Sequence, residues 1–437
     1  MNLERSADVL IIGGGPAGAS AATVLAERGH RVTVLEKSHH PRFHIGESLL
    51  PANLPLFARL GIEAEVRAVG LPKWGVEFHS PSHGHVQSFR FADSLRKDQP
   101  HAYEVRRSEL DTLLIRRAAA LGASVLEGCR AREVEFLGDG VRVQAECESG
   151  ERLAFRAPYL IDASGRDTFL GSRLGTKRRN RHHDSSAMYA HFSGAWRHED
   201  PRRAGDIGIF WFEHGWFWYI PLADGATSVG AVVWPHYMKA RSRPLPEYFL
   251  ETLALCPPLA ERLRGATLAS AVEATGNYAY RCARSHGERF LLTGDAYTFI
   301  DPVFSSGVYF AMKTGCAAAE TLDECLRSPA RRARAFRRFD RLSRHGPKSF
   351  SWYIYRMTRP AMRQLFMQPR NPLRMREALL SLLAGDIYGE TPIRGPLRAF
   401  KTLYYVMSVL TARRTLEAMR LRRAALAASP LERTAVR

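Results

Sequence analysis

The stretch of sequence that decides the fold is ADVLIIGGGPAGASAATVLAERGHRVTVLE, residues 7–36. Its apolar start, residues 7–12, is typical of a buried parallel strand. A GxGxxG run follows, from Gly13 to Gly18, and the segment behind it is predicted to be helical as far as Arg28. Residues 30–35 predict a second strand, which ends at Glu36. This order of strand, glycine turn, helix, strand and acid predicts an α/β fold with a Rossmann-type domain.

The glycine turn also indicates what the domain binds. Glycines at these positions let the backbone approach a pyrophosphate at the helix N-terminus, where free N–H groups and the helix dipole favour an anion. Glu36 can accept hydrogen bonds from ribose hydroxyl groups, which disfavours a 2′-phosphate. GxGxxG alone is a weak signal, but its strands, spacing and terminal acid make this one specific for a dinucleotide.

Composition narrows the class of protein. The 437 residues suffice for two or three subdomains, and 45% hydrophobic residues indicate an ordered globular chain. Six scattered cysteines show no CxxC pair and no metal-ligand spacing, so a reducing compartment and no metal are expected. With no signal-peptide layout and no apolar run long enough to cross a bilayer, the expected location is cytoplasmic.

The net charge of +19 leaves four interpretations open: nucleic acid, a membrane surface, an acidic protein partner, or a solvated arginine-rich surface. The basic residues concentrate in segments 177–181, 331–344 and 413–423. No nucleic-acid recognition motif accompanies them, so nucleic acid is not an expected partner.

A second conspicuous stretch is HGWFWYIPL, residues 214–222. As a strand it places Trp216, Trp218 and Ile220 on one face and Phe217 and Tyr219 on the other. Such a strand is most often simple core. Two indoles on one face can equally form a wall that lines a cavity or blocks a passage.

Alternating patterns predict a large sheet around this stretch, with further strands near residues 74–79, 86–91, 188–194, 207–212 and 227–234. Beyond residue 314 the sequence is rich in basic residues and its pattern predicts helices. An apolar segment there, residues 403–410 within 397–423, is expected to dock on the core, and an interfacial membrane helix is the less favoured alternative.

Further motifs lie at HIGESLLP (44–51), YEVRRSELD (103–111), LIDASGR (160–166) and LLTGDA (291–296). In this order the chain resembles the FAD-dependent monooxygenases, reductases and halogenases that share the fold of para-hydroxybenzoate hydroxylase. The resemblance implies a discontinuous FAD domain (residues 1–70, 100–170 and 280–330), a mixed β-sheet substrate domain (71–99 and 171–279) and a helical C-terminal region (331–437). It also implies that Arg107 contacts the flavin nucleotide and that Asp295 binds the ribityl chain.

Three features narrow the resemblance to flavin-dependent halogenases: the WxWxIP pattern at 216–221, the run from Phe299 through Pro302 and Ser305 to Gly307, and Lys73 in LPKWG (71–75). The family mechanism that this implies uses reduced FAD, O2 and chloride or bromide to make hypohalous acid. Backbone N–H groups of Ser306 and Gly307 would hold the halide. The indoles of Trp216 and Trp218 would keep the organic substrate away from the flavin, and Lys73 would carry the oxidant as a hydrogen-bonded species or a haloamine.

The expected cofactor contacts can be collected as Gly13, Gly15, Pro16, Ala17, Gly18, Glu36, Lys37, Arg42, Ser48, Arg107, Asp295 and Gly307. The chain has no NAD(P)H fingerprint of its own, so a separate flavin reductase is expected to reduce FAD.

The substrate implied is an electron-rich aromatic: a phenol, a pyrrole or an aryl polyene precursor, which an acidic acyl carrier protein could present to this basic chain. Tryptophan-specific members of the family carry a glutamate where this chain has Phe304, so free tryptophan is not expected. His101 and His191 are candidates, by residue type alone, for the base that activates the ring. The alternatives are a monooxygenase or a geranylgeranyl-type reductase on an aromatic or lipid substrate, and a flavin-binding partner module without catalysis.

Overall fold

A computed structural model of the chain describes residues 4–180, 183–276, 279–369, 371–388, 391–413, 416–417 and 420. The strands are β1 (Arg5–Ser6), β2 (Val9–Ile12), β3 (Val32–Leu35), β4 (Leu71–Lys73), β5 (Gly75–Ser80), β6 (His85–Arg90), β7 (Ala102–Glu104), β8 (Ser124–Leu126), β9 (Cys129–Phe136), β10 (Val141–Cys147), β11 (Arg152–Ala157), β12 (Tyr159–Asp162), β13 (Lys177–Arg179), β14 (Ser186–Ser193), β15 (Ile207–Phe212), β16 (Gly215–Pro221), β17 (Thr227–Val233), β18 (Thr267–Leu268), β19 (Glu273–Gly276), β20 (Tyr280–Cys282), β21 (Phe290–Leu292) and β22 (Thr298–Phe299). The helices are α1 (Pro16–Glu27), α2 (Leu54–Leu60), α3 (Glu63–Val69), α4 (Arg107–Ala120), α5 (Phe169–Arg173), α6 (Pro235–Lys239), α7 (Leu245–Ala254), α8 (Pro257–Arg262), α9 (Gly307–Arg327), α10 (Arg332–Ile354), α11 (Pro360–Met367), α12 (Met375–Leu383) and α13 (Arg394–Leu410).

A parallel sheet of five strands organises the nucleotide-binding part, in the order β21-β12-β2-β3-β8. Because β2, β3, β12 and β21 all run the same way, their carboxyl ends lie along one edge. The residues that follow these four strands are Gly13, Glu36, Ala163 and Thr293. Motifs that are far apart in sequence therefore meet at one edge of the sheet, where α/β folds bind ligands. The predicted α/β fold with a Rossmann-type domain is confirmed.

The large sheet has eight strands, in the order β18-β14-β17-β16-β15-β5-β6, with β19 beside β14. The aromatic strand β16 lies inside it, antiparallel to both β15 and β17. Its two faces belong to two different cores. Trp216, Trp218 and Ile220 pack in the core shared with the parallel sheet, whereas Phe217 and Tyr219 pack against α7 and α8. The alternation predicted from the sequence is confirmed.

A further sheet, β1-β11-β10-β9, flanks the parallel sheet, and β4 and β7 form a short antiparallel pair. The large sheet takes its strands from residues 75–90, 186–233 and 267–276, and the parallel sheet takes its strands from segments around them. We retain the discontinuous division into domains as a proposal, with the bounds predicted from the sequence.

Helices follow β22 to the end of the described chain. α9 packs along α1, and α13 packs against α11 and α12. The buried Phe400 and Tyr404 of α13 contact the rings of Tyr353 and Trp352 in α10. The docked arrangement expected for the apolar segment is therefore the observed one for 394–410, while much of the predicted stretch beyond Arg413 lies outside the described residues. Within the residues that the structure covers, no helix is both long and apolar enough to span a membrane.

Candidate active site

A cavity of about 700 Å³ lies at the carboxyl edge of the parallel sheet. Most of the residues predicted to contact the cofactor line it: Gly13, Gly15, Pro16, Ala17, Glu36, Lys37, Arg42, Ser48, Arg107, Asp295 and Gly307. Ser306, Trp216 and Trp218 line it as well. Two predicted site residues, Gly18 and Lys73, are not part of its lining.

The glycine turn is built by close backbone contacts. Gly13 has a φ of +101°, and a Cβ on it would lie 2.3 Å from the carbonyl oxygen of Ala163. A Cβ on Gly18 would lie 1.9 Å from the carbonyl oxygen of Gly13. Gly18 thus serves the site by letting α1 start tightly against the turn. The N-terminus of α1, capped by Gly15 without a side-chain hydrogen bond, is left facing the cavity for an anion.

Glu36 is held by backbone donors of this turn. Its carboxylate accepts from the N–H of Gly14 at 2.6 Å and from the N–H of Ser38 at 3.0 Å. The side chain is buried yet lines the cavity. Its remaining lone pairs are available to ribose hydroxyl groups, as the sequence predicts.

Arg107 is fixed at the start of α4 by a buried pair with Asp111, at 2.9 and 3.0 Å. It also donates to the carbonyl oxygen of Ile45 at 2.9 Å, which ties α4 to the 44–51 segment. Arg42 approaches the same Asp111 at 3.3 Å. One carboxylate therefore orients two guanidinium groups toward the cavity, a suitable arrangement for phosphate oxygens.

The rest of the wall also suits an anionic dinucleotide. Basic side chains outnumber carboxylates in the lining. The basic ones are Lys37, Arg42, Arg107, Arg130, Arg132, Arg166 and Arg173, and the acidic ones are Glu36, Glu47, Asp167, Asp295 and Asp301. Burial raises the pKa of Asp295 to about 6, and Arg166 and Arg107 oppose that rise. A carboxyl in this position can accept hydrogen bonds from a polyhydroxylated chain. The residues present thus fit FAD.

The turn before α9 forms another part of the cavity wall. Ser305 has a φ of +54°, which brings Ser306 to the helix N-terminus as a buried N-cap residue. Its side chain makes no capping hydrogen bond to the helix. Because the first turn of a helix has no intrahelical partners for its N–H groups, the Ser306–Gly307 end presents free donors beside the cavity. A halide or a flavin carbonyl is a suitable acceptor for them.

The indole wall is made possible by a glycine on the neighbouring strand. Trp216 and Trp218 have ring centroids 6.2 Å apart, and the Trp218 Nε1 donates to the hydroxyl of Ser228 at 3.2 Å. Opposite Trp218 in β17 is Gly230, where a Cβ would lie 2.2 Å from the indole atom Cζ2. The position of the Trp218 ring therefore depends on the absence of a side chain at residue 230.

We expect Gly230→Ala to displace the Trp218 indole, at a cost of about 1–3 kcal/mol in stability because the strand is fully packed. If the wall separates flavin from substrate, the variant should yield less halogenated product and more hydroxylated product or free hydrogen peroxide. Product ratios by mass spectrometry measure this.

A double-mutant cycle with Trp218→Phe supplies the control for this prediction. Phenylalanine lacks the ring that meets the new methyl group, so Gly230→Ala should cost clearly less stability in the Trp218→Phe background. Equal costs in both backgrounds would contradict the packing argument, and an unchanged product ratio would contradict the separating role.

Lys73 lies outside the cavity lining and is connected to it by the hydroxyl group of Ser48. Its side chain is only 2% exposed, and its Nζ donates to Ser48 Oγ at 2.8 Å and to the carbonyl oxygen of Leu49 at 3.0 Å. Ser48, which lines the cavity, also accepts from the Ser305 hydroxyl at 3.0 Å. Burial lowers the pKa of Lys73, while Glu104 and Asp206 oppose that effect. The structure thus joins Lys73 to the turn before α9 through Ser48.

Neither candidate base lines the cavity. His101 packs against Trp74 and Tyr103, with ring centroids 5.0 and 5.2 Å away, and burial lowers its pKa. The Nε2 of His191 lies 3.0 Å from both carboxylate oxygens of Glu47, a residue that does line the cavity. Their assignment as the base stays a prediction that the geometry does not favour.

Sequence reasoning missed two buried carboxyl groups, Glu47 and Glu104. Both stand inside motifs that the sequence singles out, GES and YEVRR, but a charge in a motif does not reveal its partner. No local pattern reveals their burial, since an isolated glutamate in a short strand such as Ala102–Glu104 is more often exposed.

The comparisons with known proteins agree with this geometry. A family model described as an FAD binding domain matches residues 6–335. The fold and the cavity thus define an FAD-binding protein.

Among curated proteins, the chain is similar to the 1H-pyrrole-2-carbonyl-[peptidyl-carrier protein] chlorinase of Pseudomonas fluorescens, with 31% identity over 408 residues, 88% of this chain and 90% of that protein. It is also similar to the tryptophan 2-halogenase of Chondromyces crocatus, with 34% identity over 331 residues, 74% of this chain and 62% of that protein. A solved structure, the myxobacterial chondrochloren halogenase CndH, superimposes with a TM-score of 0.77 at 32% identity, covering 92% of this chain and 97% of that one.

The chain belongs to the flavin-dependent halogenases. It is accordingly an FAD-dependent enzyme that uses halide and O2, which confirms the cofactors and the family inferred from the sequence.

Proposed function

We propose that this enzyme halogenates an electron-rich aromatic ring, a pyrrole or a phenol, with Lys73 as the residue that hands the halogen to the ring. The observation that carries the proposal is the hydrogen-bonded connection from Ser305 through Ser48 to Lys73, with steps of 3.0 and 2.8 Å. It links the end of the cavity that can hold a halide to a buried amine outside that cavity.

Reduced FAD and O2 supply the oxidising equivalent that turns the halide into hypohalous acid. The N–H groups at the start of α9, on Ser306 and Gly307, hold the halide beside the cavity. Trp216 and Trp218 line the same cavity and keep an organic ring from reaching the halide. Lys73, buried behind Ser48, hydrogen-bonds the hypohalous acid or reacts with it to give a haloamine and water.

Burial is what suits Lys73 to this task. An ammonium group has no free electron pair, and the burial of the Lys73 side chain, which is 2% exposed, disfavours the charged form and lowers its pKa. The neutral amine, the form that can accept a halogen or a hydrogen bond, is therefore easier to reach here than on a surface lysine with an ordinary pKa.

For the substrate, we favour a pyrrole or phenol over free tryptophan, and presentation on an acidic carrier protein. Phe304 is buried against Phe350 and Phe366, with centroids 6.2 and 6.3 Å away, so this position offers no carboxylate to a ligand. The chlorinase relative is named for a pyrrole on a peptidyl carrier protein, and the net charge of +19 suits an acidic protein partner.

A separate flavin reductase completes the proposal, since the sequence contains one dinucleotide fingerprint and FAD would occupy it. We also infer from the cysteine usage that the enzyme works in the cytoplasm. Rapid oxidation of NADH by the purified protein alone would contradict the need for a reductase.

The test supplies the purified protein with FAD, a flavin reductase, NADH, air and either chloride or bromide. The probes are pyrrole-2-carboxyl thioester on a carrier protein, free phenol and free tryptophan, each analysed by mass spectrometry. Halogenated pyrrole or phenol is expected, with little halogenated tryptophan. A hydroxylated product identifies a monooxygenase, and a saturated, halide-independent product identifies a reductase; either outcome overturns the proposal.

A further inference from the structure

Glu104 is a fully buried carboxyl group, and among the described residues Lys73 is the basic side chain that pairs with it. It lies on β7, which has β4 along one edge and the Glu47–Leu49 segment along the other. In this arrangement Lys73 is paired with Ala102, and Ser48 with Glu104. Ala102 and Glu104 share a face of the strand, so the side chains of Lys73, Ser48 and Glu104 converge.

The distances connect the three groups. The Ser48 hydroxyl lies 3.1 Å from Glu104 Oε1 and 2.8 Å from Lys73 Nζ, and Oε1 lies 3.8 Å from Nζ directly. A hydroxyl can donate to either neighbour, so the same geometry carries a proton from the carboxyl to the amine or back. The second carboxyl oxygen, Oε2, is buried and makes no hydrogen bond within the described part of the chain.

The other carboxyl groups near Lys73 and Glu104 each have a partner of their own. Asp206 pairs with Arg90 and accepts from the Trp74 N–H, and Glu47 pairs with His191. His101 lies on the approach to β7 but packs on aromatic rings. Burial raises the pKa of Glu104 to about 8, with smaller contributions from the Asp206 and Glu47 carboxylates, while Lys73 and the Ser48 hydrogen bond oppose the rise. The group is therefore a neutral acid at pH 7.

We propose that Glu104 is the proton partner of Lys73: through Ser48 it protonates Nζ as the halogen leaves, and its carboxylate then recovers a proton. This inference rests on the proposed role of Lys73 in halogen transfer. Glu104 exchanges a proton with Lys73 Nζ and does not contact the aromatic ring of the substrate.

The step balances as follows. The Lys73 amine and hypohalous acid first give a haloamine and water. The ring carbon then attacks the halogen with its own electron pair, the nitrogen–halogen bond breaks, and the nitrogen keeps that pair and takes the proton from Glu104. The ring next loses the proton from the substituted carbon, and the Glu104 carboxylate is protonated again. The amine and the carboxylic acid are both regenerated.

The experiment compares the wild-type enzyme with Glu104→Gln, Glu104→Asp and, as a matched control, the exposed Glu65→Gln. Glutamine has the shape of the neutral acid, so the fold should be kept, which a thermal melt checks. Halogenation of the phenol and pyrrole probes should fall about 100-fold in Glu104→Gln, the usual size of a general-acid contribution. Hypohalous acid trapped by monochlorodimedone should not fall, since its formation does not use Glu104. Glu104→Asp should recover part of the rate.

The pH profile distinguishes a proton donor from a structural residue. A donor must be protonated, so wild-type halogenation should fall as the pH rises through about 8, the pKa of Glu104. This alkaline fall should be absent from Glu104→Gln and present in Glu65→Gln. Equal rates and equal profiles in the wild type and Glu104→Gln, with Lys73→Met inactive, would refute the role of Glu104 and leave that of Lys73 intact.

A second readout does not depend on turnover. The chain has eight lysines, so labelling them with ¹³C at Cε and comparing spectra with Lys73→Met identifies the Lys73 signal. In the wild type this signal should respond to the ionisation of Glu104 near pH 8, because Oε1 lies 3.8 Å from Nζ, and Glu104→Gln should abolish that response. An unchanged titration overturns the proposal even if no probe is halogenated.

Discussion

Replacing Lys73 with methionine is expected to reduce ring halogenation by about 100-fold or more, without reducing the formation of hypohalous acid. The reason is positional: Lys73 lies behind Ser48, outside the cavity where FAD and halide fit, so the oxidising chemistry does not use it. Trapping with monochlorodimedone should therefore rise as oxidant escapes, while halogenated pyrrole or phenol disappears from the mass spectrum.

The fold should tolerate this change. Methionine fills nearly the volume of the lysine side chain, so the exchange leaves little cavity, and removing one partner of a buried pair is costly mainly where it leaves an uncompensated charge. Because Glu104 is itself a neutral acid at pH 7, it is not left as an unpaired charge. Lys97→Met, at an exposed position of the same region, is the matched control and should keep full activity. Halogenation undiminished in Lys73→Met would remove Lys73 from the mechanism.

Replacing Gly13 with alanine is expected to raise the Kd for FAD by about 100-fold. The new Cβ would lie 2.3 Å from the Ala163 carbonyl oxygen, and the residue would keep a φ of +101° that alanine disfavours. A clash with backbone and a left-handed residue together cost ~3 kcal/mol, which is about 100-fold in affinity. Quenching of flavin fluorescence on titration with the protein measures the Kd.

Gly138→Ala is the control for that measurement. It introduces the same methyl group where nothing lies within 4 Å and the backbone is not left-handed. Its Kd should equal that of the wild type. Wild-type affinity in Gly13→Ala would mean that the turn moves easily, and that the close contact to residue 163 does not shape the FAD site.

Ser48 emerges as the residue at which the parts of the site meet. Its hydroxyl accepts from Ser305 and Lys73 and donates to Glu104, while its backbone pairs with β7. The sequence assigns Ser48 to the cofactor, and the structure gives it a second set of contacts on the side away from the cavity. A displacement of residues 44–51 would therefore change the hydrogen bonds that Lys73 Nζ donates to Ser48 and Leu49.

Local patterns explain how much could be predicted. The glycine turn and the faces of the aromatic strand depend on contacts between near neighbours, and on the fixed periods of helix and strand. The parallel strands then place Gly13, Glu36 and Asp295 together, because strands of one direction end at one edge. The role of Gly230 was beyond such reasoning, since only the pairing of β17 with β16 puts it opposite Trp218.

The sequence by itself determined the class of fold, the dinucleotide site and the residue types available for halogen transfer. Only the tertiary structure decided that Lys73 is buried, that it lies one hydroxyl from the cavity, and that Glu104 stands beside it. The physical reason is that a pKa and a proton path depend on burial and on distances of about 3 Å. Ser48 and Ser305 are 257 residues apart in sequence, and no local pattern encodes that their hydroxyl groups meet.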